Sequence, residues 1–295
     1  MKNNFKVSIV MNCYNGEVFL NQALESVFNQ TYENWELIFW DNNSEDNSKK
    51  IINQYFDKRI KYFISEEHTT QYEARKRAVK KCEGDLISFL DVDDWWDKSK
   101  LETQVSLFND PDVGFACCNY WIVNERKGGK KKLAFKYIPT GYVTDKLLIR
   151  NFVGMSTLMI RKTAYFNLEY GFNPEFEIIG DYDLILRLSE TNKLACPSIP
   201  LSYYRWHGNN LGFLKFELNF SELERWVKNS KTFSKYKNFL YLINYIAFYK
   251  GLIDVQNDNR LKAFKKLNKI NNIYFRLKLI LIILMPLWLI KKLRS

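Results

Sequence analysis

The sequence has few of the residues that build metal clusters and disulfide frameworks. Its 295 residues include two histidines and five cysteines, with neither a Cys-x-x-Cys pair nor a zinc-type spacing with histidine. An odd number of cysteines without such spacing excludes a disulfide scaffold and a zinc module. It predicts free thiols in a reducing compartment.

The sequence also lacks the pattern of a signal peptide. Lys2 and Lys6 precede an apolar run that spans only residues 7–11, and no small-residue cleavage site follows it. Together with the free thiols, this pattern predicts a cytoplasmic protein. A content of 46% hydrophobic and 26% charged residues excludes a disordered or collagen-like chain and predicts a large core.

The positive charge is concentrated at one end of the chain. The formal net charge is +11, yet residues 1–214 carry 27 basic and 28 acidic residues, whereas residues 215–295 carry 17 basic and 5 acidic ones. The sequence therefore predicts a nearly neutral globular domain at 1–214 and a basic, apolar-rich helical region at 215–295.

Short apolar runs alternate with segments of helical periodicity in the first 108 residues. The predicted strands lie at 7–11, 36–40, 60–64 and 86–90, and the predicted helices at 17–30, 44–56, 71–82 and 99–108. Ser44 is a candidate N-cap of the second helix. This alternation implies crossover connections. We predict an α/β, Rossmann-like fold with a mostly parallel, doubly wound sheet and a helical C-terminal extension.

Polar residues follow the predicted strands at their carboxyl ends, where ligands bind in open α/β sheets. Residues 12–16 follow the first strand, Asp41 the second and residues 91–94 the fourth, so these segments are expected to converge on one edge. Asp91 and Asp93 point to the same side of the chain. They can hold one Mg²⁺ or Mn²⁺ together with phosphates and water. Capping of the following helix is the alternative for this acidic cluster.

Asp41 and Arg75 each have two interpretations. The Asp41 carboxylate either closes an Asx-turn or accepts hydrogen bonds from the imide of uracil or thymine. Arg75 lies in a basic run of the third predicted helix. It either belongs to a solvated cationic face or binds a phosphate or nucleotide through its planar guanidinium.

Four motifs in order resemble glycosyltransferase family 2, whose members have the GT-A fold. They are Val-Ser-Ile-Val-Met-Asn-Cys-Tyr-Asn at 7–15, Ser-Val-Phe-Asn-Gln at 26–30, Asp-Asn-Asn-Ser-Glu-Asp at 41–46 and Phe-Leu-Asp-Val-Asp-Asp-Trp at 89–95. The resemblance extends from residue 5 to about residue 210. It implies a hexosyltransferase of class EC 2.4 that uses a nucleotide-diphosphate sugar, with UDP as the expected nucleotide, in bacterial surface-polysaccharide assembly.

The resemblance also implies roles for individual residues. Asp41 would contact the base, and Asp91 and Asp93 would serve the ribose, the diphosphate and the metal, with Asp94 as a reserve ligand. The remaining residues of the predicted nucleotide site are Asn12, Tyr14, Asn15 and Arg75. Two motifs depart from the family: Asp-Asp-Gly-Ser is Asp-Asn-Asn-Ser at 41–44, and Ala-Arg-Asn is Ala-Arg-Lys at 74–76.

The second half of the chain contains the expected base and a metal-site histidine. Asp181 matches the second residue of the family's Glu-Asp segment, with Gly180 in place of the glutamate, and is the predicted general base. A plain N-cap is the alternative. Asp183 is expected to pair with Arg187 four residues later; exchange of roles with Asp181 is its alternative. His207 resembles the histidine that family members bring to the metal and diphosphate, with a purely structural histidine as the alternative. His68 receives no role.

These roles predict transfer by single displacement. Direct displacement needs a base beside the acceptor hydroxyl and a metal beside the diphosphate leaving group. The sequence offers no second carboxylate as a covalent nucleophile. We therefore expect inversion at the anomeric carbon. The acceptor would be a hydroxyl of a lipid-linked or growing surface glycan.

The basic C-terminal region ends in twelve uncharged apolar residues at 279–290. A helix of that length spans roughly 18 Å, short of the ~30 Å hydrocarbon core of a bilayer. Basic residues flank the segment, which predicts peripheral binding to the inner face of the cell membrane. A helix packed on the globular domain, or a dimer contact in a homo-oligomer, is the alternative.

Two other classes of function compete with this prediction. A Mg²⁺-dependent nucleotidyltransferase would share the acidic edge, but it calls for a glycine-rich loop with a lysine after the first strand, and residues 12–16 contain no lysine. A non-catalytic nucleic-acid-binding protein would use the basic C-terminal region with strong salt dependence. The apolar end of that region favours a lipid surface, so no nucleic-acid partner is expected.

Overall fold

In the computed structural model, which describes residues 4–286 and residue 289, the chain divides into two units. The first unit contains residues up to 143 and 151–210, and the second contains 144–150 and the residues from 211 onward. The division at 210 lies four residues before the predicted one. Residues 144–150 join the second unit, where Asn238 donates its backbone N–H to Asp145 Oδ1 at 2.7 Å.

The secondary structure begins with alternating strands and helices and ends in helices. The strands are β1 (Val7–Cys13), β2 (Trp35–Asp41), β3 (Ile60–Ile64), β4 (Leu86–Phe89), β5 (Trp95–Trp96), β6 (Val113–Ala116), β7 (Asn119–Asn124), β8 (Lys130–Leu133), β9 (Met159–Arg161), β10 (Lys193–Ala195) and β11 (Pro200–Trp206). The helices are α1 (Glu17–Phe28), α2 (Ser48–Ile52), α3 (Gln71–Val79), α4 (Lys100–Leu107), α5 (Thr144–Leu147), α6 (Lys162–Phe166), α7 (Gly180–Thr191), α8 (Leu211–Leu214), α9 (Phe216–Asn229), α10 (Phe239–Gln256), α11 (Arg260–Lys266) and α12 (Ile273–Leu284).

The predicted mostly parallel sheet is confirmed in the first unit. Its strand order is β10-β6-β9-β4-β1-β2-β3. β3, β2, β1 and β4 pair in parallel, as do β10 and β6, whereas β9 runs antiparallel to β4 and β6. β1 and β2 are buried along almost their whole length, and both are mainly apolar, with Ser8 and Glu36 as polar interruptions. The core around β1 includes Leu20, Ala23, Leu24 and Val27 of α1, which recur at helical spacing.

The start of the second helix differs from the prediction. α2 begins at Ser48, so the expectation that Ser44 caps it was wrong. The Ser44 N–H donates to Asp41 Oδ1 at 2.8 Å, and its hydroxyl accepts the Asn15 N–H at 3.0 Å. Ser44 is therefore engaged in the turn after β2, and the helix begins four residues later.

A second sheet, with strand order β5-β11-β7-β8, was not expected from the sequence. Its strands escape pattern analysis because β5 has two residues and β8 is the lysine-rich run Lys-Lys-Lys-Leu. β11 pairs with β5 through Tyr203 and Trp95. This pairing brings the residues at the end of β11 next to the acidic segment that precedes β5.

The second unit is helical, as predicted for the basic region. α10 packs against α11 and α12, and its core includes Phe248, Phe275 and Leu279. No helix in the described part of the chain combines the length and apolar content needed to cross a membrane. The apolar segment at 279–290 begins inside α12, and its residues after 286, except 289, lie outside the described residues together with the basic residues that follow.

Candidate active site

The turns after β1 and β2 are joined by hydrogen bonds. The Asn15 N–H donates to the Ser44 hydroxyl at 3.0 Å, and Asn15 Oδ1 accepts the Glu45 N–H at 2.9 Å. Asn15 has a φ of 51°, a left-handed conformation that asparagine tolerates better than most residues. Two of the three predicted strand-end segments therefore meet at one edge of the sheet, and in this structure Asn15 links them.

Asp41 is fully buried in the turn after β2. Its Oδ1 accepts the Ser44 N–H at 2.8 Å, and its Oδ2 accepts the Tyr62 hydroxyl at 2.8 Å. Burial and the neighbouring Asp41 carboxylate raise the pKa of Tyr62, so this phenol remains a donor. Asp41 thus closes the turn after β2 through the N–H three residues on, and not through the N–H two residues on that defines an Asx-turn. A nucleobase imide would have to replace the bond from Tyr62.

Tyr14 forms an exposed aromatic surface beside this turn. Its side chain is 47% exposed, and its ring centroid lies 3.8 Å from that of His68. His68, which received no role from the sequence, also lies 3.3 Å from the Asn42 carbonyl oxygen through Nδ1. Asn12 donates Nδ2 to the Gln71 carbonyl at 3.4 Å, and its buried Oδ1 has no hydrogen-bond partner among the described residues.

The third strand-end segment forms an acidic cluster. Asp91, Asp93 and Asp94 each offer a carboxylate oxygen, and these oxygens lie within 4.8 Å of one another. His207 Nε2 lies 3.1 Å from Asp93 Oδ2, which places the histidine beside the predicted metal ligands. Burial raises the pKa of Asp91, and the Asp93 charge raises it further. A divalent cation would relieve this repulsion, so the donor set fits Mg²⁺ or Mn²⁺.

Asp94 differs from its neighbours because it is buried and already bonded to the protein. Its Oδ2 accepts the Ser156 hydroxyl at 2.6 Å, and its Oδ1 accepts the Arg205 N–H at 2.9 Å. Burial raises its pKa well above the usual range, and Asp93 and Asp91 add to the rise. These contacts make Asp94 an anchor for the acidic loop. The Asp94 carboxylate still belongs to the group of three that could hold a metal ion, so its role as a reserve ligand stays a prediction.

Arg205 is a site residue that the sequence did not reveal. Its Nε donates to the Asp93 carbonyl at 2.8 Å. Its guanidinium lies 4.3 Å from the Phe19 ring centroid and 4.5 Å from that of Trp95. It also contacts Glu125. Arg205 therefore fixes the backbone of the acidic loop. No sequence pattern marks this role, which becomes visible only through the β11–β5 pairing in the structure.

Arg75 is buried, which excludes the solvated cationic face as its location. Its Nη2 lies 2.5 Å from Asp91 Oδ1, and its Nη1 donates to Gln71 Oε1 at 3.2 Å. The positive charge of Arg75 lowers the pKa of both Asp91 and Asp181, against the opposing effect of burial on each. Arg75 thus couples the acidic cluster to the predicted base.

Asp181 lies in the first turn of α7, as the sequence predicted for a residue at a helix start. Its Oδ1 accepts the Tyr182 N–H at 2.7 Å and the Tyr72 hydroxyl at 3.1 Å. The N-cap residue is Ile179, so Asp181 is not the plain N-cap that was its alternative. Burial raises its pKa, and Arg75 opposes the rise.

The neighbouring Asp183 has a different task. Its Oδ2 accepts hydrogen bonds from Arg187 Nη2 at 2.6 Å and from Nε at 3.1 Å, which confirms the predicted pairing four residues apart. Because this carboxylate is buried and paired, Asp181 is the carboxylate at the start of α7 that remains for chemistry.

Comparison with known proteins decides the class of the chain. The family model described as Glycosyl transferase family 2 matches residues 8–166. The chain belongs to glycosyltransferase family 2. This enzyme is therefore a glycosyltransferase of class EC 2.4, and not the nucleotidyltransferase considered as an alternative. The matched region includes Asp41, Arg75, Asp91 and Asp93, whereas Asp181 lies beyond it.

Several curated bacterial glycosyltransferases are similar in sequence to this chain. It is 31% identical over 249 residues to "UDP-Glc:alpha-D-GlcNAc-diphosphoundecaprenol beta-1,3-glucosyltransferase WfgD" of Escherichia coli, covering 83% of the chain and 93% of the relative. It is 28% identical to WfaP of the same organism, which has the same description, over 72% of the chain and 81% of the relative. It is 30% identical to "Putative teichuronic acid biosynthesis glycosyltransferase TuaG" of Bacillus subtilis, over 52% and 61%.

Solved structures share the fold of this glycosyltransferase. Staphylococcus aureus TarS 1–349 superposes with a TM-score of 0.62 at 15% identity, covering 90% of each chain. The mannosyltransferase PcManGT of Pyrobaculum calidifontis, solved with GDP-Man and Mn²⁺, gives a TM-score of 0.60 at 14% identity, covering 90% of this chain and 74% of that one. These likenesses confirm the predicted GT-A fold.

Proposed function

We propose that this glycosyltransferase transfers glucose from UDP-glucose to a hydroxyl of a lipid-linked GlcNAc-diphosphate, with inversion at the anomeric carbon. The descriptions of WfgD and WfaP support the donor and the acceptor. The observation that carries the chemical part of the proposal is the pair of contacts through α3. Arg75 binds Asp91 of the acidic cluster, and Tyr72 binds Asp181. One helix, α3, thereby contacts both the acidic cluster on the leaving-group side of the site and the proposed base on the nucleophile side.

The nucleotide would bind along the joined turns after β1 and β2. Tyr14 offers an exposed ring on which a uracil can stack. Asp41 would recognise the imide if the Tyr62 hydroxyl turned away. Asn12 Oδ1, which is buried without a partner among the described residues, is an acceptor for a ribose or base donor. Asn15 holds the backbone of this turn.

The acidic cluster would hold a divalent cation through Asp91, Asp93 and His207. Such an ion, when bound, stabilises the negative charge of a departing diphosphate. Asp93 is the best-placed ligand because its side chain is 30% exposed and its carboxylate lies beside His207 Nε2. Asp91 is held by Arg75, which also supplies positive charge on this side of the site.

Asp181 would act as the general base. It takes the proton of the acceptor hydroxyl while that oxygen attacks the anomeric carbon and UDP departs with the electron pair of the broken bond. Burial raises the pKa of Asp181 towards the working pH, which makes the carboxylate a stronger base. General-base assistance of this kind contributes about 10²–10⁴ in rate.

The test is transfer by the purified full-length chain from a panel of UDP-, GDP- and dTDP-sugars to GlcNAc-diphospholipid, with Mn²⁺ or Mg²⁺ and with a chelator. We expect UDP-glucose to be the best donor and the chelator to abolish transfer. Proton NMR of the product should show a β-glucosidic bond formed from the α-linked donor. An α-linked product, or transfer from GDP-sugars alone, would contradict the proposal.

The second unit would bring the enzyme to the membrane that carries this acceptor. Four apolar side chains recur on one face of α12, and each is 54–74% exposed. This α12 face consists of Ile273, Leu277, Leu281 and Leu284. Basic residues accompany it on the same helix, at Arg276 and Lys278. An exposed apolar stripe with cations is typical of a helix that lies in the interface of an anionic membrane.

Flotation with anionic vesicles tests the membrane proposal. The double variant Leu277→Asp/Leu281→Asp should lose flotation, because it puts two charges on the α12 face. Leu240→Asp is the matched control, since Leu240 is a 52% exposed leucine of α10, and it should float like the wild type. Equal flotation of all three proteins would count against the α12 face. Association into dimers that the double variant abolishes would favour a homo-oligomer contact instead.

A further inference from the structure

The Tyr72 hydroxyl lies between two acceptors next to the proposed base. Tyr72 is 2% exposed, and its hydroxyl oxygen is 2.9 Å from the Ile178 carbonyl oxygen and 3.1 Å from Asp181 Oδ1. A phenol has one hydrogen to donate and can accept another hydrogen bond. The hydroxyl can therefore donate to only one of these two oxygens at a time.

The start of α7 is shaped around the Tyr72 ring. A Cβ atom on Gly180 would lie 2.5 Å from Tyr72 Cδ2, closer than such atoms approach in proteins. The ring also stacks on Phe172, with 5.7 Å between centroids. Glycine at 180 thus leaves the room that the Tyr72 ring occupies. The ring and the glycine together fix the hydroxyl against Asp181.

We propose that Tyr72 is a positioning residue for Asp181 and that its hydroxyl changes partner during the reaction. The hydroxyl donates to the ionised Asp181 before transfer. When Asp181 has taken the proton of the acceptor, its new O–H donates to the Tyr72 oxygen, and the Tyr72 O–H turns to the Ile178 carbonyl. In each state the Tyr72 O–H has an acceptor, and the proton removed from the sugar acceptor stays on Asp181. This inference rests on the proposed role of Asp181 as base.

The charged groups around Asp181 set the expected effect of removing the hydroxyl. Burial raises the pKa of Asp181 most strongly, and the nearby Asp91 adds to the rise. Arg75 and the hydrogen bonds from Tyr182 and Tyr72 lower the pKa against these two effects. Loss of the Tyr72 donor removes one contribution that favours the ionised form. The pKa of Asp181 would therefore rise further.

The experiment measures the pH dependence of kcat/KM for sugar transfer by the full-length Tyr72→Phe variant. This change keeps the ring and removes only the hydroxyl. We expect the acidic limb of the profile to shift to higher pH by about one unit, so that kcat/KM at pH values below the limb is roughly tenfold lower than in the wild type. The KM for the sugar nucleotide should stay within about twofold, because Tyr72 acts through the base and not on the donor.

Tyr165→Phe is the matched control. Tyr165 is also buried, and its hydroxyl accepts the Phe172 N–H at 3.1 Å near the same aromatic group. Its loss should lower the melting temperature and leave the acidic limb in place. A Tyr72→Phe profile with the wild-type limb would overturn the inference even if the variant were slower.

Asp181→Asn separates this inference from the proposed function. If Asp181→Asn transfers sugar normally, the assignment of the base is wrong and the Tyr72 inference fails with it. If Asp181→Asn is inactive while Tyr72→Phe keeps the wild-type acidic limb, the base assignment stands and only the Tyr72 role is refuted.

Discussion

Asp93 and Asp94 are adjacent in the chain, and their carboxylates have opposite surroundings. The Asp93 side chain is 30% exposed and faces His207. Asp94 is 3% exposed and accepts one hydrogen bond from Ser156 and one from the backbone of Arg205. We therefore expect Asp93→Ala and Asp94→Ala to fail in different ways.

The expected magnitudes follow from these contacts. Asp94→Ala leaves two buried donors without an acceptor, at about 1–3 kcal/mol each, so roughly 2–6 kcal/mol of stability should be lost. Asp93→Ala removes one partly exposed contact with His207 and should cost less than about 1 kcal/mol. Its loss should instead weaken Mn²⁺ binding by at least ~100-fold, because even residues that only orient a metal ligand contribute ~10–100-fold.

Urea unfolding and titration with Mn²⁺, followed by electron paramagnetic resonance, measure the two effects separately. The expected pattern is a stable Asp93→Ala protein that does not bind Mn²⁺ and a destabilised Asp94→Ala protein. Mn²⁺ binding by the remaining folded Asp94→Ala protein should be much closer to the wild type. Wild-type Mn²⁺ affinity in Asp93→Ala would refute the assignment of this carboxylate as a ligand.

Two further predictions concern acid stability and the coupling of charges in the site. Hydrogen bonds from Ser8, Lys61 and Lys6 overcome burial and lower the pKa of Glu36 from 4.5 to about 2. This depression stabilises the fold by roughly 3 kcal/mol above pH 4.5 and is lost as the pH falls towards 2. The free energy of unfolding of Glu36→Gln in urea should therefore fall less between pH 4.5 and 2 than that of the wild type. The same dependence on pH in both proteins would contradict this prediction. Arg75→Met should raise the pKa of Asp181 and move the acidic limb of kcat/KM upward; an unmoved limb would exclude the coupling.

The sequence was sufficient where local pattern decides the structure. The mainly apolar runs of β1 and β2 and the helical spacing of α1 predicted the sheet, and polar residues at strand ends predicted the shared edge. Asp181 at the start of α7 followed from a motif. Each of these features depends on neighbours within a few residues, and this is why they could be predicted.

The remaining features depend on contacts between distant segments. Ser156 and Arg205 hold Asp94 from 62 and 111 residues away, and no local pattern marks either residue. Gly180 was visible as a departure from the family motif, but the Tyr72 ring that a side chain there would meet lies on another helix. Likewise, the burial of Arg75 is decided by the packing of α3 and not by the basic run around it.

The most direct test of the account is the rate of sugar transfer by Asp181→Asn, measured together with donor binding. The asparagine keeps the size of the side chain and cannot accept the proton. We predict that UDP-glucose and Mn²⁺ bind as they do to the wild type while transfer to the lipid-linked acceptor falls by about 10²–10⁴. A folded Asp181→Asn protein that transfers sugar at nearly the wild-type rate would contradict the account.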